Sequence, residues 1–310
     1  MTLAHITSDI EPYLDWHSAL AAFDRGHHAP KAELTDSFLY SGENTLLSRA
    51  AWIKGMGALV KTAMVFPENA ARDLPAVNGS VALYSDDTGE LDAILDFHLI
   101  TKWKTAGDSL FAASRLARKD SRNITLVGAG TVARNMREAY RALFPRAQFT
   151  IWTRRPDAAL QFADELQDTR AESDLEKAVS GADIICTATL SKTPLIKGEW
   201  LQAGQHLDLI GAFRPDMREV DDTALTRASL FVDCRETVLD HIGELKDPLA
   251  RGILQRDDII ADFYDIPSGV FTRPDPEAIT ICKNGGGAHL DLMISRYVFE
   301  TWRDNRVEKP

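Results

Sequence analysis

The sequence predicts an α/β protein, with a doubly wound parallel-sheet (Rossmann) domain joined to an α+β N-terminal domain. From about residue 121 to 284, short apolar runs alternate with amphipathic segments, the pattern of βαβ units that build a parallel sheet. From about 35 to 100, apolar runs flank short polar turns, as in β-hairpins. We therefore place one domain at residues 1–108, the Rossmann domain at 109–288, and a C-terminal helix at about 289–310 that packs back on the first domain.

Charge and hydropathy exclude several classes of protein. The 46 acidic residues outnumber the 35 basic ones and give a net charge of −11, so we expect neither nucleic acid nor an anionic membrane as partner. Apolar stretches such as residues 58–66 are much shorter than the roughly 18–20 residues that span a bilayer. Asp9 and Glu11 precede the first basic residue, Arg25. This start is unlike a signal peptide, and we expect a cytoplasmic protein.

The three cysteines do not indicate a disulfide scaffold or a metal site. Cys186, Cys234 and Cys282 each stand alone in an apolar run that predicts a strand. They lack the paired spacing of a zinc site. We expect reduced thiols in the protein core and no bound metal.

The elements of the N-terminal domain follow from local patterns. Residues 6–26 are typical of a helix, and two hairpins follow, with turns at 41–44 and 86–89. Residues 101–118 then predict a helix that connects the two domains.

A glycine motif opens the second domain. Residues 128–133 have the form G-x-G-x-x-A, directly after the apolar strand 123–127 and before an amphipathic helix. Glycines at these positions allow a tight turn and let backbone N–H groups approach a pyrophosphate at the helix N-terminus. A structural glycine turn is the alternative. We predict a dinucleotide site formed by Gly128, Ala129, Gly130, Thr131 and Val132.

The end of the next predicted strand indicates which dinucleotide binds. An acidic residue there usually accepts from the ribose 2′-OH of NAD, whereas this chain has Thr153, Arg154 and Arg155. Two guanidinium groups suit a 2′-phosphate, because they neutralise it and offer forked donors. NADP(H) is therefore favoured, with NAD(H) possible. The alternative is a solvated arginine pair at a strand end.

Ligands of doubly wound sheets bind outside the carboxyl ends of the strands. Loops that follow later predicted strands thus supply further cofactor candidates: Thr187, Ala188, Thr189, Gly211 and Gly286. The triple glycine 285–287 equally fits a simple strand-to-helix turn. His289, just after it, is either a helix-start residue or a proton donor.

A lysine interrupts an apolar strand in the first domain. Lys61 shares one face of the predicted strand 58–66 with Leu59 and Ala63, and burying an ammonium is costly unless an anion meets it. A lysine that binds a substrate carboxylate would explain this charged residue in an apolar strand. The alternatives are an internal salt bridge, or a side chain that extends to solvent. Lys104 lies at the start of the predicted connecting helix. A cation there opposes the helix dipole, which is tolerable where an anionic ligand binds.

The order of motifs resembles the ornithine cyclodeaminase and mu-crystallin family across almost the whole chain. The strand lysine is followed by F-P-E-N at 66–69, T-x-x-K-T-A at 101–106, the glycine fingerprint, G-A-F-R-P-D-M-R-E at 211–219, and a late glycine loop with Asp291. The resemblance implies a homodimer built through the N-terminal domain, a nicotinamide cofactor, and amino-acid, imine or keto-acid substrates. It also implies that Lys61 is the catalytic lysine that contacts the substrate carboxylate. Lys104 replaces a usual arginine, and Lys31 is the counterpart of a second basic residue.

One departure from the family pattern bears on the reaction. The cyclodeaminases have an aspartate two residues after the glycine of the 211–219 segment, where this chain has Phe213 in the substrate site. Members that lack the aspartate look like cyclic-ketimine reductases. We therefore expect an NADPH-dependent oxidoreductase that reduces a small cyclic ketimine carboxylate of the Δ1-pyrroline-2-carboxylate type. The alternatives are an NAD-dependent ornithine cyclodeaminase, an amino-acid dehydrogenase, and an NADPH-dependent small-ligand binder.

Overall fold

The computed structural model describes residues 3–72 and 74–307. The chain divides into two compact units. Unit 1 comprises the residues up to 104 and those from 286 onward, and unit 2 comprises residues 105–285. The chain passes between them at two points, within a helix over Phe97–Leu116 and in the loop after Gly285.

Within the described part of unit 1, six strands form one sheet in the order β1-β6-β5-β4-β3-β2. The strand bounds are β1 Ala4–Ile6, β2 Glu33–Ser41, β3 Asn44–Ile53, β4 Gly57–Val65, β5 Val77–Tyr84 and β6 Leu91–Asp96. Strands β2 to β6 pair antiparallel with their neighbours, and β1 joins β6 in parallel. Both hairpins that the sequence predicts are confirmed, since β2 pairs with β3 and β5 with β6.

The helices of unit 1 cover part of this sheet. Helix α1 spans Trp16–His28, α2 begins at Phe97, and the last helix, called α9 below, spans Ala288–Val307. Helix α9 packs against α1, β3 and β4. Residues 308–310 of the predicted C-terminal helix lie outside the described residues.

Two predicted helix boundaries are wrong. The segment 6–26 is not one helix: the end of β1, a short 3-10 helix over Ser8–Tyr13 and α1 share it. Pro12 lacks a backbone N–H, and Asp15 caps α1 by accepting from the backbone N–H of Ser18 at 2.9 Å. Helix α2 begins at Phe97 rather than Thr101, because Asp96 accepts from the backbone N–H of Leu99. Lys104 therefore lies inside the helix, and the predicted conflict with the helix dipole does not arise.

In unit 2, all of which the structure describes, eight strands form a sheet in which every pairing is parallel. The order is β13-β12-β14-β11-β10-β7-β8-β9. The strands are β7 Asn123–Val127, β8 Gln148–Trp152, β9 Thr169–Ala171, β10 Ile184–Thr187, β11 His206–Leu209, β12 Ser229–Val232, β13 Ile259–Ala261 and β14 Thr280–Lys283. The predicted α/β class with a Rossmann-type parallel sheet is confirmed.

Helices alternate with these strands. They are α3 Thr131–Leu143, α4 Pro156–Asp164, α5 Leu175–Ser180, α6 Asp222–Arg227, α7 Arg235–Val238 and α8 Gly243–Ala250. Strand β7 lies between β8 and β10, with β11 beyond β10. The carboxyl ends of these four strands therefore form one edge of the sheet, where ligands of such folds bind.

The three cysteines are buried and unpaired. Over the described ranges, no helix has the length and apolar character needed to cross a membrane.

Candidate active site

The first group of candidate residues lies in unit 1 and centres on Lys61. This residue is on β4 and only 5% exposed. Its Nζ donates to Asp291 Oδ1 and to Thr101 Oγ1, each at 2.8 Å. Burial lowers the pKa of Lys61 to about 8, although the charge of Asp291 opposes that shift. The internal salt bridge that the sequence left as an alternative is thus present.

Arg49 is the cross-strand neighbour of Lys61 in the antiparallel pairing of β3 with β4. Its Nη1 donates to the carbonyl of Gly286 at 2.7 Å and lies 3.7 Å from Asp291 Oδ2. Its Nη2 lies 2.8 Å from Asp36 Oδ2. The sequence did not predict a role for Arg49, because only the register between β3 and β4 places it beside Lys61.

Lys104 completes this group. It is 7% exposed, and its Nζ donates to the carbonyl of Gly286 at 3.1 Å. Gly286 has φ of +66°, a backbone conformation that favours glycine. A Cβ there would lie 2.7 Å from Nζ of Lys104, the movable end of that side chain. The sequence placed Gly286 with the cofactor, whereas its carbonyl accepts from two cations of unit 1. Lys31, the expected second basic residue, is exposed.

Asp291 is the buried carboxylate that these cations share. It lies in the first turn of α9 and is fully buried. Burial alone would raise its pKa, but the charges of Lys104, Lys61 and Arg49 hold the pKa below its ordinary value. Among these side chains and Asp36, the cations exceed the carboxylates by one charge. Unit 1 therefore contains a mostly buried group of side chains with one net positive charge, which could accommodate one carboxylate.

His289 lies in the same turn of α9 and is also fully buried. Burial lowers its pKa well below the ordinary range, so its imidazole is neutral near pH 7. The ring contacts His27 edge to face, with 5.6 Å between ring centroids. A neutral imidazole is a weak proton donor, and this favours the helix-start interpretation.

The second group lies in unit 2, where β7 leads into α3. Gly128 has φ of +128°, and a Cβ there would lie 2.7 Å from the carbonyl oxygen of Ala188. Gly130 is the N-cap of α3 without a side-chain capping bond, and a Cβ there would meet no atom within 4 Å. Thr131 and Val132 are exposed, and Ala129 lies between the two glycines. An open helix N-terminus after a glycine turn fits a pyrophosphate.

The remaining cofactor candidates follow the neighbouring strands. Thr153 comes directly after β8, and Arg154 and Arg155 are exposed beyond it. Thr187 ends β10, Ala188 and Thr189 follow it, and Gly211 lies two residues after β11. Strand order thus brings these residues to one edge of the sheet. Phe213 belongs to the same unit and is 59% exposed.

Sequence reasoning missed one residue of this edge. Glu219 is fully buried, and the hydroxyls of Thr187 and Thr189 both donate to its carboxylate. Glu219 is the last residue of the 211–219 segment that the sequence singles out, but only the structure shows which groups donate hydrogen bonds to it.

The chain is similar to known proteins both in sequence and in fold. The ornithine cyclodeaminase/mu-crystallin family model matches residues 38–306. A Δ1-pyrroline-2-carboxylate reductase of Paracoccus denitrificans is 47% identical over 291 residues, which cover 92% of each chain. The Thermococcus litoralis Δ1-pyrroline-2-carboxylate reductase, solved with NADH and L-proline, has a TM-score of 0.90 at 25% identity and 98% coverage of both chains. An archaeal alanine dehydrogenase dimer with bound NAD also has a TM-score of 0.90, at 27% identity, covering 99% of this chain and 98% of that one.

Proposed function

The chain belongs to the ornithine cyclodeaminase/mu-crystallin family, and we propose that it reduces a small cyclic imine that carries a carboxylate, using a nicotinamide cofactor. Δ1-pyrroline-2-carboxylate, the five-membered ring, is the leading substrate, with its six-membered analogue next. The observation that carries the proposal is the mostly buried group of Arg49, Lys61 and Lys104, whose charge exceeds that of its carboxylate partners by one. The relative that is 47% identical is a reductase of this substrate.

The proposed chemistry divides between the two units. When bound, the reduced nicotinamide supplies a hydride for the imine carbon. The cations of unit 1 hold the substrate carboxylate, which fixes the ring and contributes by positioning. A protonated cyclic imine is already an electrophile, so the step needs no strong protein acid. This agrees with a neutral His289 and with Asp291 held ionised by its cationic neighbours.

Phe213 favours reduction over cyclodeamination. Conversion of ornithine to proline requires oxidation of the amino acid, proton removal from an amine, ring closure and loss of ammonia. An ionised carboxylate near the amine would assist these steps, and a phenyl ring cannot accept a proton. Reduction of a preformed imine makes no such demand.

We propose NADP(H) as the preferred cofactor, with NAD(H) as the alternative. The support is the exposed pair Arg154 and Arg155 directly after β8, where an acidic residue would select NAD. The two solved relatives described above contain NADH and NAD, so the preference needs a direct measurement.

We also propose a homodimer formed through the sheet of unit 1. Strand β2 is an edge strand, and Phe38, Leu39 and Tyr40 on it are 50%, 66% and 73% exposed. Exposed apolar edge strands are normally covered by another chain. The archaeal alanine dehydrogenase was solved as a dimer, which supports the stoichiometry.

The experiment that tests the activity is a substrate panel. Purified protein is given NADPH or NADH with five- and six-membered cyclic imine carboxylates, and with 2-oxo acids plus ammonia or methylamine. We expect oxidation of the cofactor chiefly with the cyclic imines. Rates confined to 2-oxo acids with ammonia would instead indicate an amino-acid dehydrogenase, and cofactor binding without turnover would indicate a ligand-binding protein.

A further inference from the structure

Glu219 is a fully buried carboxylate that joins two loops of unit 2. Its Oε1 accepts from the backbone N–H of Thr189 at 2.9 Å and from the hydroxyl of Thr189 at 2.7 Å. Its Oε2 accepts from the backbone N–H groups of Gly211 and Ala212 at 2.9 and 3.1 Å, and from the hydroxyl of Thr187 at 2.7 Å. One carboxylate thus fixes the chain after β10 to the chain after β11.

The donors require a carboxylate at this point. The backbone N–H groups of Thr189, Gly211 and Ala212 can only donate, and they approach both oxygens of Glu219. An amide would present its NH2 group to some of them and leave those donors buried without an acceptor. A buried donor without an acceptor destabilises the loop that carries it.

The surrounding residues are shaped to hold this carboxylate. A Cβ on Gly211 would lie 2.3 Å from Glu219 Oε1 and equally close to the backbone N and O atoms of Thr189, so glycine is needed for the close approach of the two loops. A second buried carboxylate, Glu244, accepts from the backbone N–H groups of Glu219 and Val220 at 2.7 and 3.1 Å. Burying two neighbouring carboxylates is costly unless both are fully hydrogen-bonded. Here both carboxyl groups accept from backbone N–H groups, which offsets that cost.

The strand order indicates which part of a ligand these loops serve. Strand β7 lies between β8 and β10, and β11 follows β10. A dinucleotide with its pyrophosphate at Gly128 to Gly130 and its adenosine half toward Arg154 has its other half on the side of β10 and β11. The loops that Glu219 joins lie on that side.

We propose that Glu219 is a positioning residue for the nicotinamide half of the cofactor: it fixes the loops at Thr187–Thr189 and Gly211–Ala212 without contacting the cofactor itself. The proposal rests on the proposed function, because it assumes that a nicotinamide dinucleotide binds at this edge. It makes a specific prediction, namely that losing the carboxylate weakens binding of the whole dinucleotide and spares binding of its adenosine fragment.

The test uses Glu219→Gln in the full-length protein, with Glu277→Gln as control, since Glu277 is an exposed glutamate of the same unit. Fluorescence or calorimetric titration measures the Kd of the dinucleotide that wild type binds more tightly, NADPH or NADH, and of its fragment, 2′,5′-ADP or ADP. We expect Glu219→Gln to raise the dinucleotide Kd about tenfold or more and to change the fragment Kd by less than about twofold. The control should match wild type for both ligands.

Each other outcome has a definite meaning. Equal weakening of dinucleotide and fragment would overturn the proposal in favour of a general structural role, and unchanged binding of both would overturn it as well. Wild-type protein that binds neither dinucleotide would instead overturn the proposed function, and the proposal with it. If Glu219→Gln does not fold, Glu219→Asp, which keeps the charge but shortens the side chain by one methylene group, must raise the dinucleotide Kd selectively for the proposal to stand.

Discussion

At the residue scale, the site of unit 1 depends on the proton of Lys61. Burial favours the neutral amine, while Asp291 favours the ammonium, and the resulting pKa is about 8. Because the pKa is lowered, Lys61 is charged below pH 8 and loses its charge as the pH rises through that value. Binding of a carboxylate should therefore weaken above pH 8.

The measurement is the inhibition constant of an unreactive ring carboxylate, such as pyrrole-2-carboxylate, between pH 6 and about 9.5. We expect the inhibition constant to rise above pH 8 in wild type. Lys61→Ala should raise it about 10- to 150-fold at pH 7, the loss of one charge-assisted hydrogen bond, and should remove the rise above pH 8. Lys54→Ala is the control, since Lys54 is exposed between β3 and β4. If the inhibition constant of Lys61→Ala depended on pH as it does in wild type, Lys61 would not be the residue that binds the carboxylate.

Arg154 and Arg155 carry the second prediction at this scale. Changing both to Ala should weaken NADPH by about 10- to 150-fold, because contacts to a 2′-phosphate are charge-assisted, and should change NADH much less. Arg146→Ala is the control, since Arg146 is exposed just before β8, at the opposite end of that strand. Equal affinities of wild type for NADPH and NADH would refute the preference.

The candidate site residues differ in how readily the sequence predicts them. Lys61 could be found because an ammonium in an apolar strand needs a partner. Arg49 could not, because its role follows from the β3–β4 register and from Gly286, which is far away in the chain. Asp291 was noticed only as part of a motif, since nothing local shows that three cations surround it.

At the element scale, the turn between β7 and α3 contains two glycines with different requirements. Gly128 needs glycine for the fold, because of its positive φ and the nearby carbonyl of Ala188. Gly130 has φ of −83° and open space where a Cβ would stand. Only an approaching ligand would therefore require glycine at Gly130.

The prediction is a contrast between two variants. Gly128→Ala should lower both the Tm of the free protein and the dinucleotide affinity, because an L residue is strained there. Gly130→Ala should lower the Tm of the free protein less than Gly128→Ala does, since only an N-cap preference is lost, and should weaken the dinucleotide about tenfold or more, by keeping the pyrophosphate away from the backbone. Thermal unfolding and titration measure the two effects. Full dinucleotide affinity in Gly130→Ala would argue against pyrophosphate binding at this turn.

Element types were easier to predict than element boundaries. Apolar runs identified most strands of both units, because period and length distinguish them from helices, but not the three-residue strands β1, β9 and β13. The start of α2 was misplaced because it depends on a single capping bond, in which the backbone N–H of Leu99 donates to Asp96. Caps of this kind depend on a few atoms and leave a weak pattern.

At the scale of the whole molecule, the observed division of the chain lies at 104–105 and 285–286, whereas the sequence placed boundaries at 108–109 and 288–289. The long helix α2 contributes to both units, and hydropathy does not mark a boundary inside a helix. The glycine loop 285–287 marks the second crossing more clearly.

The oligomeric state of the protein gives a further prediction. Light scattering should give the mass of a dimer at micromolar concentration. Replacing both Leu39 and Tyr40 by Glu should give a folded monomer, because charges on an exposed edge strand oppose pairing. Leu160→Glu, at an exposed leucine of α4 in unit 2, should leave the dimer intact. A wild-type monomer at this concentration would contradict the proposal.

We propose that this member of the family reduces a preformed cyclic imine and does not cyclise ornithine. The most direct measurement compares two reactions in one preparation, with proline and ammonia quantified in both: Δ1-pyrroline-2-carboxylate with NADPH or NADH, and ornithine with NAD. We expect rapid formation of proline from the imine and little or none from ornithine, because Phe213 cannot accept a proton. Stoichiometric proline and ammonia from ornithine, at a rate comparable with imine reduction, would contradict it and show that another residue supplies the base.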